Sequence, residues 1–182
     1  MSWDALIAKA AGDNFEKPTE NAKLVSMGSV HEMRSVISKH FPSIKWQENG
    51  QGVVTTDLGS LEFLLIGRRD TGENFNATLE SQAVESIGVS ARGGGDPVGI
   101  ITQFAILNKW SIADSQEGRW MDLRNVSRKS WEEFTAYRDK IANSAGSRDS
   151  PEAGSIGINL VISIAVFALI AVAIKFLSKK HN

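Results

Sequence analysis

Residues 84–108 read VESIGVSARGGGDPVGIITQFAILN and combine a strand, a turn and a helix in one continuous stretch. Alternating apolar side chains favour a strand over Val84–Arg92. Three glycines follow, and then Asp96 and Pro97 mark a helix start, because aspartate caps free backbone N–H groups and proline fits the first turn. The apolar helix predicted from this start extends to Lys109. A strand followed directly by such a helix predicts a sheet with helices packed against it.

The flanking segments add further strands and two more helices. The predicted strands are Ser2–Ile7, Val53–Asp57, Leu61–Ile66, Trp110–Asp114 and Arg119–Leu123, of which the second and third form one hairpin and the last two another. Capping-box spacing predicts one helix starting at Ser29, with Glu32, and another starting at Ser130, with Glu133. This order favours an α+β fold, with a mostly antiparallel sheet, helices packed on one face and one additional C-terminal transmembrane helix.

The transmembrane helix is predicted from a run of about 19 uncharged residues that begins at Ile156. A helix of that length spans about 28 Å, close to the hydrocarbon thickness of a bilayer. A buried core helix is the alternative, but such helices usually carry a polar stripe, and this run is apolar on every face. We therefore expect a single-pass membrane protein that contacts the lipid bilayer through Ile156–Leu177, followed by a short basic tail over 178–182.

The remainder of the chain is predicted as one soluble α+β domain over residues 1–142 and a flexible linker over residues 143–155. The linker reads NSAGSRDSPEAGS, a small and polar composition. The N-terminal residues contain no long apolar stretch of the kind found in export signals. We therefore expect a tail-anchored protein whose soluble domain lies in the cytoplasm, although the basic residues on the two sides of the span are nearly balanced.

Charge and composition limit the classes of partner and chemistry. The net charge is −1, and only three of the 20 basic residues and one of the 21 acidic residues lie beyond residue 150, so the domain itself is mildly acidic. Because nucleic-acid binding needs a basic face, we expect no nucleic-acid partner. The chain has no cysteine, which excludes disulfides, thiol nucleophiles and cysteine metal ligands. We expect no cofactor and no metal site, and we assign no catalytic residue.

The glycine loop of Arg92, Gly93, Gly94, Gly95 and Asp96 is the sharpest local feature. A turn between a strand and a helix can present backbone N–H groups to an anion, and Arg92 could add a bidentate contact. The loop matches neither the dinucleotide nor the P-loop fingerprint, and Asp96 would repel a phosphate. A tight turn that needs glycine is therefore the main interpretation, and a ligand site is the alternative.

Two tryptophans lie on the second predicted hairpin. Trp110 and Trp120 would face each other if the two strands pair in the simplest register, and such pairs stabilise a sheet. Core packing is the main interpretation of these indoles. The alternative is a partner-binding surface, because exposed tryptophans are frequent at the centres of protein interfaces.

Several segments together resemble a family of small bacterial proteins without an established activity. The resemblance rests on the opening MSWD, on MGS at 27–29 with HFP at 40–42, on ESIGVSARGGGDP at 85–97, and on Lys109-Trp110, Ile112, Asp114, Gly118 and MDL at 121–123. It covers about residues 1–124. The enlarged loop near 67–82 and the anchor after residue 150 depart from the family pattern. The resemblance implies an α+β fold and a bacterial source, and it transfers no catalytic residue.

These observations favour a membrane-anchored protein-interaction module over an enzyme. A small domain without catalytic motifs on a flexible tether suits protein binding, and an immunity or antitoxin-like role is one form of it. The alternative is an enzyme or sensor that binds a small anionic ligand at the glycine loop.

The expected topology can be tested with spheroplasts of cells that express the full-length protein. Protease added outside intact spheroplasts should leave residues 1–142 undigested, because a domain without an export route stays in the cytoplasm. Lysed spheroplasts provide the control, in which the same protease should degrade the domain. Digestion without lysis would contradict the expected orientation.

Overall fold

A computed structural model describes residues 2–12, 14–56, 58–67 and 76–146. The chain divides into two units at Arg138, and of the second unit only residues 139–146 are described. The predicted membrane span at 156–177 and the basic tail lie outside the described residues, as does the predicted linker from residue 147 onward. Within the described ranges, none of the helices combines the length and the apolar character that a membrane crossing requires.

The described residues form nine strands and three helices. The strands are β1 (Trp3–Ala10), β2 (Leu24–Val25), β3 (Gly28–Ser29), β4 (Lys45–Trp46), β5 (Gly52–Thr56), β6 (Gly59–Gly67), β7 (Ala83–Gly93), β8 (Ser111–Asp114) and β9 (Arg119–Trp120). The helices are α1 (Val30–His40), α2 (Pro97–Asn108) and α3 (Lys129–Gly146). The α+β class predicted from the sequence is confirmed.

The strands form one antiparallel sheet in the order β4-β5-β6-β7-β1-β8-β9, with β2 added to β1 and β3 to β7. The longest pairing joins β6 and β7 and runs from Gly59 opposite Gly93 to Gly67 opposite Val84. On its other side β7 pairs with β1 from Trp3 to Ala8. The prediction that Val84–Arg92 is a central strand is therefore confirmed.

The hydrophobic core lies on one face of this sheet. Alternate residues of β1, namely Trp3, Ala5 and Ile7, are buried and lie opposite Ala91, Val89 and Ile87 of β7. The buried side chains of all three helices belong to the same cluster; they include Val30, Met33, Ile37, Val98, Ile101, Phe104, Trp131 and Phe134. The helices therefore contribute to a single core, which agrees with the alternation along the strands.

Phe104 of α2 lies at the aromatic centre of this core. Its ring centroid is 5.4 Å from those of Phe41 and Trp110 and 6.4 Å from that of Phe63, all three in edge-on orientations. Edge-on aromatic pairs at these separations are favourable beyond the area that they bury. Phe104 therefore connects α2 to the end of α1, to β6 and to the start of β8.

Two of the three predicted helix starts are confirmed. At α1 the Ser29 hydroxyl accepts from the Glu32 N–H at 3.2 Å, and the Glu32 carboxylate accepts from the Ser29 N–H at 2.7 Å. The Ser29 N–H also holds the pKa of Glu32 below its usual value. At α2 the Asp96 carboxylate accepts from the Gly99 N–H at 3.0 Å, as expected for an aspartate cap.

The predicted capping box at Ser130 is wrong, because Ser130 lies inside the first turn of α3. Its buried hydroxyl donates to Asp114 and does not cap the helix. The Ser127 hydroxyl accepts from the Lys129 N–H at 3.3 Å, and Lys129 forms an ion pair with Glu133 at 3.7 Å. At its other end α3 continues to Gly146, so residues 143–146 of the predicted linker are helical.

The packing of α2 predicts that substitutions on its buried face lower the stability of the protein far more than substitutions on its exposed face. Phe104→Ala should lower the free energy of unfolding by about 3–5 kcal/mol, because it removes a fully buried ring from the core. Leu107→Ala on the exposed face is the matched control and should change stability by less than about 0.5 kcal/mol. Urea unfolding of the full-length protein in a mild detergent measures both values. Equal losses in the two variants would contradict the assignment of the faces.

Candidate functional site

The five residues of the glycine loop lie together at the turn from β7 to α2. Gly93 has a φ of 95°, and a side chain there would meet the Leu58 carbonyl oxygen at 2.5 Å and the Gly59 Cα at 2.6 Å. The two strands approach so closely at the Gly59–Gly93 pair that neither position has room for a Cβ. The Gly94 N–H donates to the Leu58 carbonyl oxygen at 2.5 Å. The loop is thus fixed against the β5–β6 turn.

The charged residues of the loop already have partners within the protein. The Arg92 guanidinium lies 3.4 Å from the Glu62 carboxylate on the neighbouring strand. Asp96 caps α2 and forms an ion pair with Arg128 at 2.6 Å. A carboxylate therefore occupies the helix N-terminus, where an anion would otherwise bind. This arrangement favours the interpretation of the loop as a structural turn and gives the anionic-ligand hypothesis no support.

A buried polar network that the sequence did not reveal lies around Asp114. Asp114 is 2% exposed. Its carboxylate accepts from the Trp3 indole N–H at 3.2 Å and from the Ser130 hydroxyl. It also accepts from the backbone N–H groups of Gln116 at 2.8 Å and Glu117 at 3.1 Å. All these donors belong to the fold itself, so the network is a structural contact between β1, the β8–β9 turn and α3.

The segment that leads from β9 to α3 is held by ion pairs at Asp122. Arg124 and Lys17 both donate to the Asp122 carboxylate, at 3.2 Å and 2.9 Å, and hold its pKa well below the usual range. The Leu123 N–H donates to the Glu16 carbonyl oxygen at 2.8 Å. These contacts fix the chain just before Val126 and Arg128, which face α2.

The two tryptophans of the second hairpin do not face each other, so that expectation was wrong. Trp120 lies opposite Ala113 in the β8–β9 register, and Ala113 lies opposite Leu6 of β1. Because side chains alternate along a strand, this register places Trp120 on the sheet face opposite the core. Trp110 is 5% exposed and belongs to the core. Trp110 is therefore unavailable as a partner-binding residue, and Trp120 remains half-buried.

The outer face of α2 carries three exposed large aliphatic side chains. Ile100 is 44% exposed, Ile106 38% and Leu107 66%. We name the outward residues Gly99, Ile100, Gln103, Ile106 and Leu107 the α2 face. They follow the i, i+3, i+4, i+7 spacing of one helix side. A helix whose outer side carries large aliphatic residues exposes apolar surface that the core does not use.

An open groove of about 580 Å³ runs along one edge of this face. Its walls are α2 and the segment at Val126 and Arg128; the residues that line it are Gly99, Thr102, Gln103, Ile106, Leu107, Val126 and Arg128. The Thr102 hydroxyl is buried and has no hydrogen-bond partner among the described residues. The groove is thus mostly aliphatic, with polar groups at its base and rim.

The helix that carries the α2 face is uncharged along its whole length. The helix PVGIITQFAILN contains no charged residue in its 12 positions. Charged residues flank the helix: Asp96 and Arg128 form their ion pair at the N-terminus, and Lys109 is the cap residue at the C-terminus. The described part of the chain contains no group of three or more histidine and acidic side chains that could hold a metal ion. Among the described residues, the α2 face is thus an uncharged and partly exposed apolar surface.

No family model, no curated protein and no solved structure matches this chain. The resemblance to the family of small bacterial proteins therefore stays a prediction, and the site has to be interpreted from its own geometry.

The glycine loop gives a test of its structural role. Gly93→Ala should destabilise the protein by more than about 1 kcal/mol, because the new methyl group meets backbone atoms and the φ of 95° disfavours it. Gly94→Ala is the control within the same loop, since its Cβ would meet only the Leu58 oxygen, at 3.5 Å. Thermal unfolding of the two full-length variants compares them. A larger loss at Gly94 than at Gly93 would contradict this description of the turn.

Proposed function

We propose that the chain is a membrane-tethered protein-interaction module and that the α2 face is its binding surface. The observation that carries the proposal is the exposure of Ile100, Ile106 and Leu107 on a helix without charge. Contiguous exposed apolar residues mark interaction sites more often than they serve the fold. The bordering groove can receive side chains of a bound protein.

The anchor at 156–177 is the second part of the proposal. Residues 147–155 can span at most about 30 Å, so the tether keeps the end of α3 within that distance of the bilayer. The domain then meets partners that are themselves in the membrane or close to it. In this proposal the domain lies on the cytoplasmic side of the membrane. It acts by binding a protein and not by catalysis.

The polar rim of the groove supports a specific contact over non-specific adhesion. Arg128 and Asp96 are about half exposed and stand at the edge of the apolar surface. A typical interface has an apolar centre that excludes water and a polar rim that fixes orientation. The α2 face and its surroundings have this composition.

Photo-crosslinking in living cells tests the proposed function. A photoreactive amino acid at Leu107 of the full-length protein should form a covalent adduct with a protein, because Leu107 is the most exposed of the three large aliphatic residues of the α2 face. The control carries the same amino acid at Ser35, an exposed position of α1. Electrophoresis followed by detection of this chain shows whether its mass increases.

An adduct at position 107 that is absent at position 35 is the expected result. Equal labelling at both positions, or none at position 107, would contradict the α2 face as a binding surface. The experiment covers any protein partner, including a second copy of this chain.

A further inference from the structure

We infer that Asn49, in the turn between β4 and β5, is a site of spontaneous covalent modification, at which the side-chain amide is converted to aspartate and isoaspartate. The co-reactant is water, and no enzyme is needed. The turn follows the edge strand β4 and shares no residue with the α2 face. Three observations support the site: the residue that follows Asn49, the exposure of its amide and the hydrogen bonds of the turn.

The reaction begins with a backbone nitrogen next to an asparagine amide. The Gly50 nitrogen attacks the Asn49 Cγ, so that a C–N bond forms. The Cγ–Nδ2 bond breaks, and Nδ2 leaves as ammonia together with the proton of the Gly50 nitrogen. The product is a five-membered succinimide ring. Water then opens the ring at one of its two carbonyl groups, which gives aspartate or isoaspartate without any oxidation or reduction.

The residue after Asn49 sets it apart from the other asparagines. Asn49 is the only asparagine of the chain that precedes a glycine. Every other internal asparagine precedes a residue whose Cβ crowds the approach of the backbone nitrogen to the amide. Glycine has no Cβ and adopts backbone angles that other residues resist. Asparagine is one of the thermally labile residue types, and this pair offers the least steric protection.

The Asn49 side chain folds back over the backbone of the turn. Its Oδ1 accepts from the Gln51 N–H at 3.0 Å, so the asparagine bonds to the backbone two residues further on. This bond keeps the amide carbon beside the Gly50 peptide and polarises the carbonyl group under attack. The Gly50 N–H donates to the Gln47 carbonyl oxygen at 3.0 Å, a single bond that the attack must break. Asn49 is exposed, so water reaches the ring once it has formed.

Isoaspartate would change the main chain of this turn. The chain would then run through the Cβ of residue 49 and gain one methylene group before Gly50. Gly50 is buried with a φ of 82°, and a side chain there would meet the Ala77 carbonyl oxygen at 3.1 Å. The Gln47 N–H donates to the Gln51 carbonyl oxygen at 2.8 Å and closes the same turn. A longer path therefore disturbs both the hairpin closure and the packing against Ala77.

The disturbance would reach α1 through Trp46. Because β4 has only two residues, its pairing with β5 depends on the turn that follows it. The Trp46 indole N–H donates to the Ser38 hydroxyl at 3.0 Å, and the Arg34 guanidinium lies 5.2 Å from the centre of the Trp46 ring. A displaced β4 loses these contacts with α1, so we expect converted molecules to unfold at a lower temperature.

Ageing of the purified full-length protein in a mild detergent tests the inference. After incubation at neutral pH under native conditions, a tryptic digest is labelled with an isoaspartyl methyltransferase. The label should appear in the peptide that begins at Trp46. Mass spectrometry should show that the amide NH₂ of Asn49 is replaced by OH. The converted fraction should grow with time, and the midpoint of thermal unfolding should fall with it.

Asn76 is a matched control in the same molecule. It is exposed, its Oδ1 accepts from the Thr78 N–H at 2.9 Å, and Ala77 follows it. It has the same type of turn without a glycine, and it should remain unlabelled. Asn49→Ser removes the amide and should abolish both the label and the age-dependent loss of stability. Freshly prepared Asn49→Asp carries the charge of the product without the extra methylene group, and it should unfold close to the unaged protein.

Three results would overturn the inference. The first is a label at Asn76 equal to that at Asn49. The second is the absence of conversion in the native protein; conversion in urea alone would show that the turn protects Asn49. The third is a label and a loss of stability that persist in Asn49→Ser.

Discussion

The buried carboxylate of Asp114 is the contact on which the arrangement of the outer strands and the last helix depends. A buried charge is tolerated only when hydrogen bonds replace its lost hydration. Asp114 obtains them from the Trp3 indole, the Ser130 hydroxyl and two backbone N–H groups of the following turn. These donors come from β1, α3 and the β8–β9 turn, so the three elements are positioned together. Trp3 is itself fully buried, and through β1 the network reaches β7 at the centre of the sheet.

The requirements of the fold do not account for the exposed residues on the outer face of α2. Its inner residues, such as Ile101 and Phe104, fill the core and explain why this segment is apolar. Polar residues at Ile106 and Leu107 would preserve those contacts and make the helix amphipathic, which is the usual solution at a surface. A position where the sequence departs from what the fold requires is often one that serves function. The core therefore does not require the exposed aliphatic residues, which is why we propose the α2 face as the binding surface.

Local signals in the sequence were sufficient for much of the fold. The capping residues Ser29 and Asp96 mark helix starts, and the alternation in Val84–Arg92 marks the central strand, because each pattern depends on nearby residues alone. The short strand β4 was missed because two residues show no periodicity. Ser130 had the spacing of a helix cap, but a distant partner, Asp114, determines its role. The prediction that Trp110 faces Trp120 across the hairpin was wrong, because strand register cannot be obtained from spacing. The α2 face was missed because a helix that is apolar on every side gives no indication of which side is exposed.

An exposed apolar helix also explains why a membrane tether would be useful. In a freely diffusing protein, such a surface can meet apolar patches on many others and promotes non-specific association. In the proposed function, residues 156–177 would hold the chain at the bilayer, where it would meet mainly proteins at the same membrane, and the encounters would recur among the same few partners. A small contact can then be selective without being strong. In the proposed function the uncharged centre of α2 makes the apolar contact, and the Asp96–Arg128 ion pair lies at its polar edge. In the proposed function the anchor and the α2 face therefore act together: the anchor limits which proteins the domain meets, and the α2 face binds one of them.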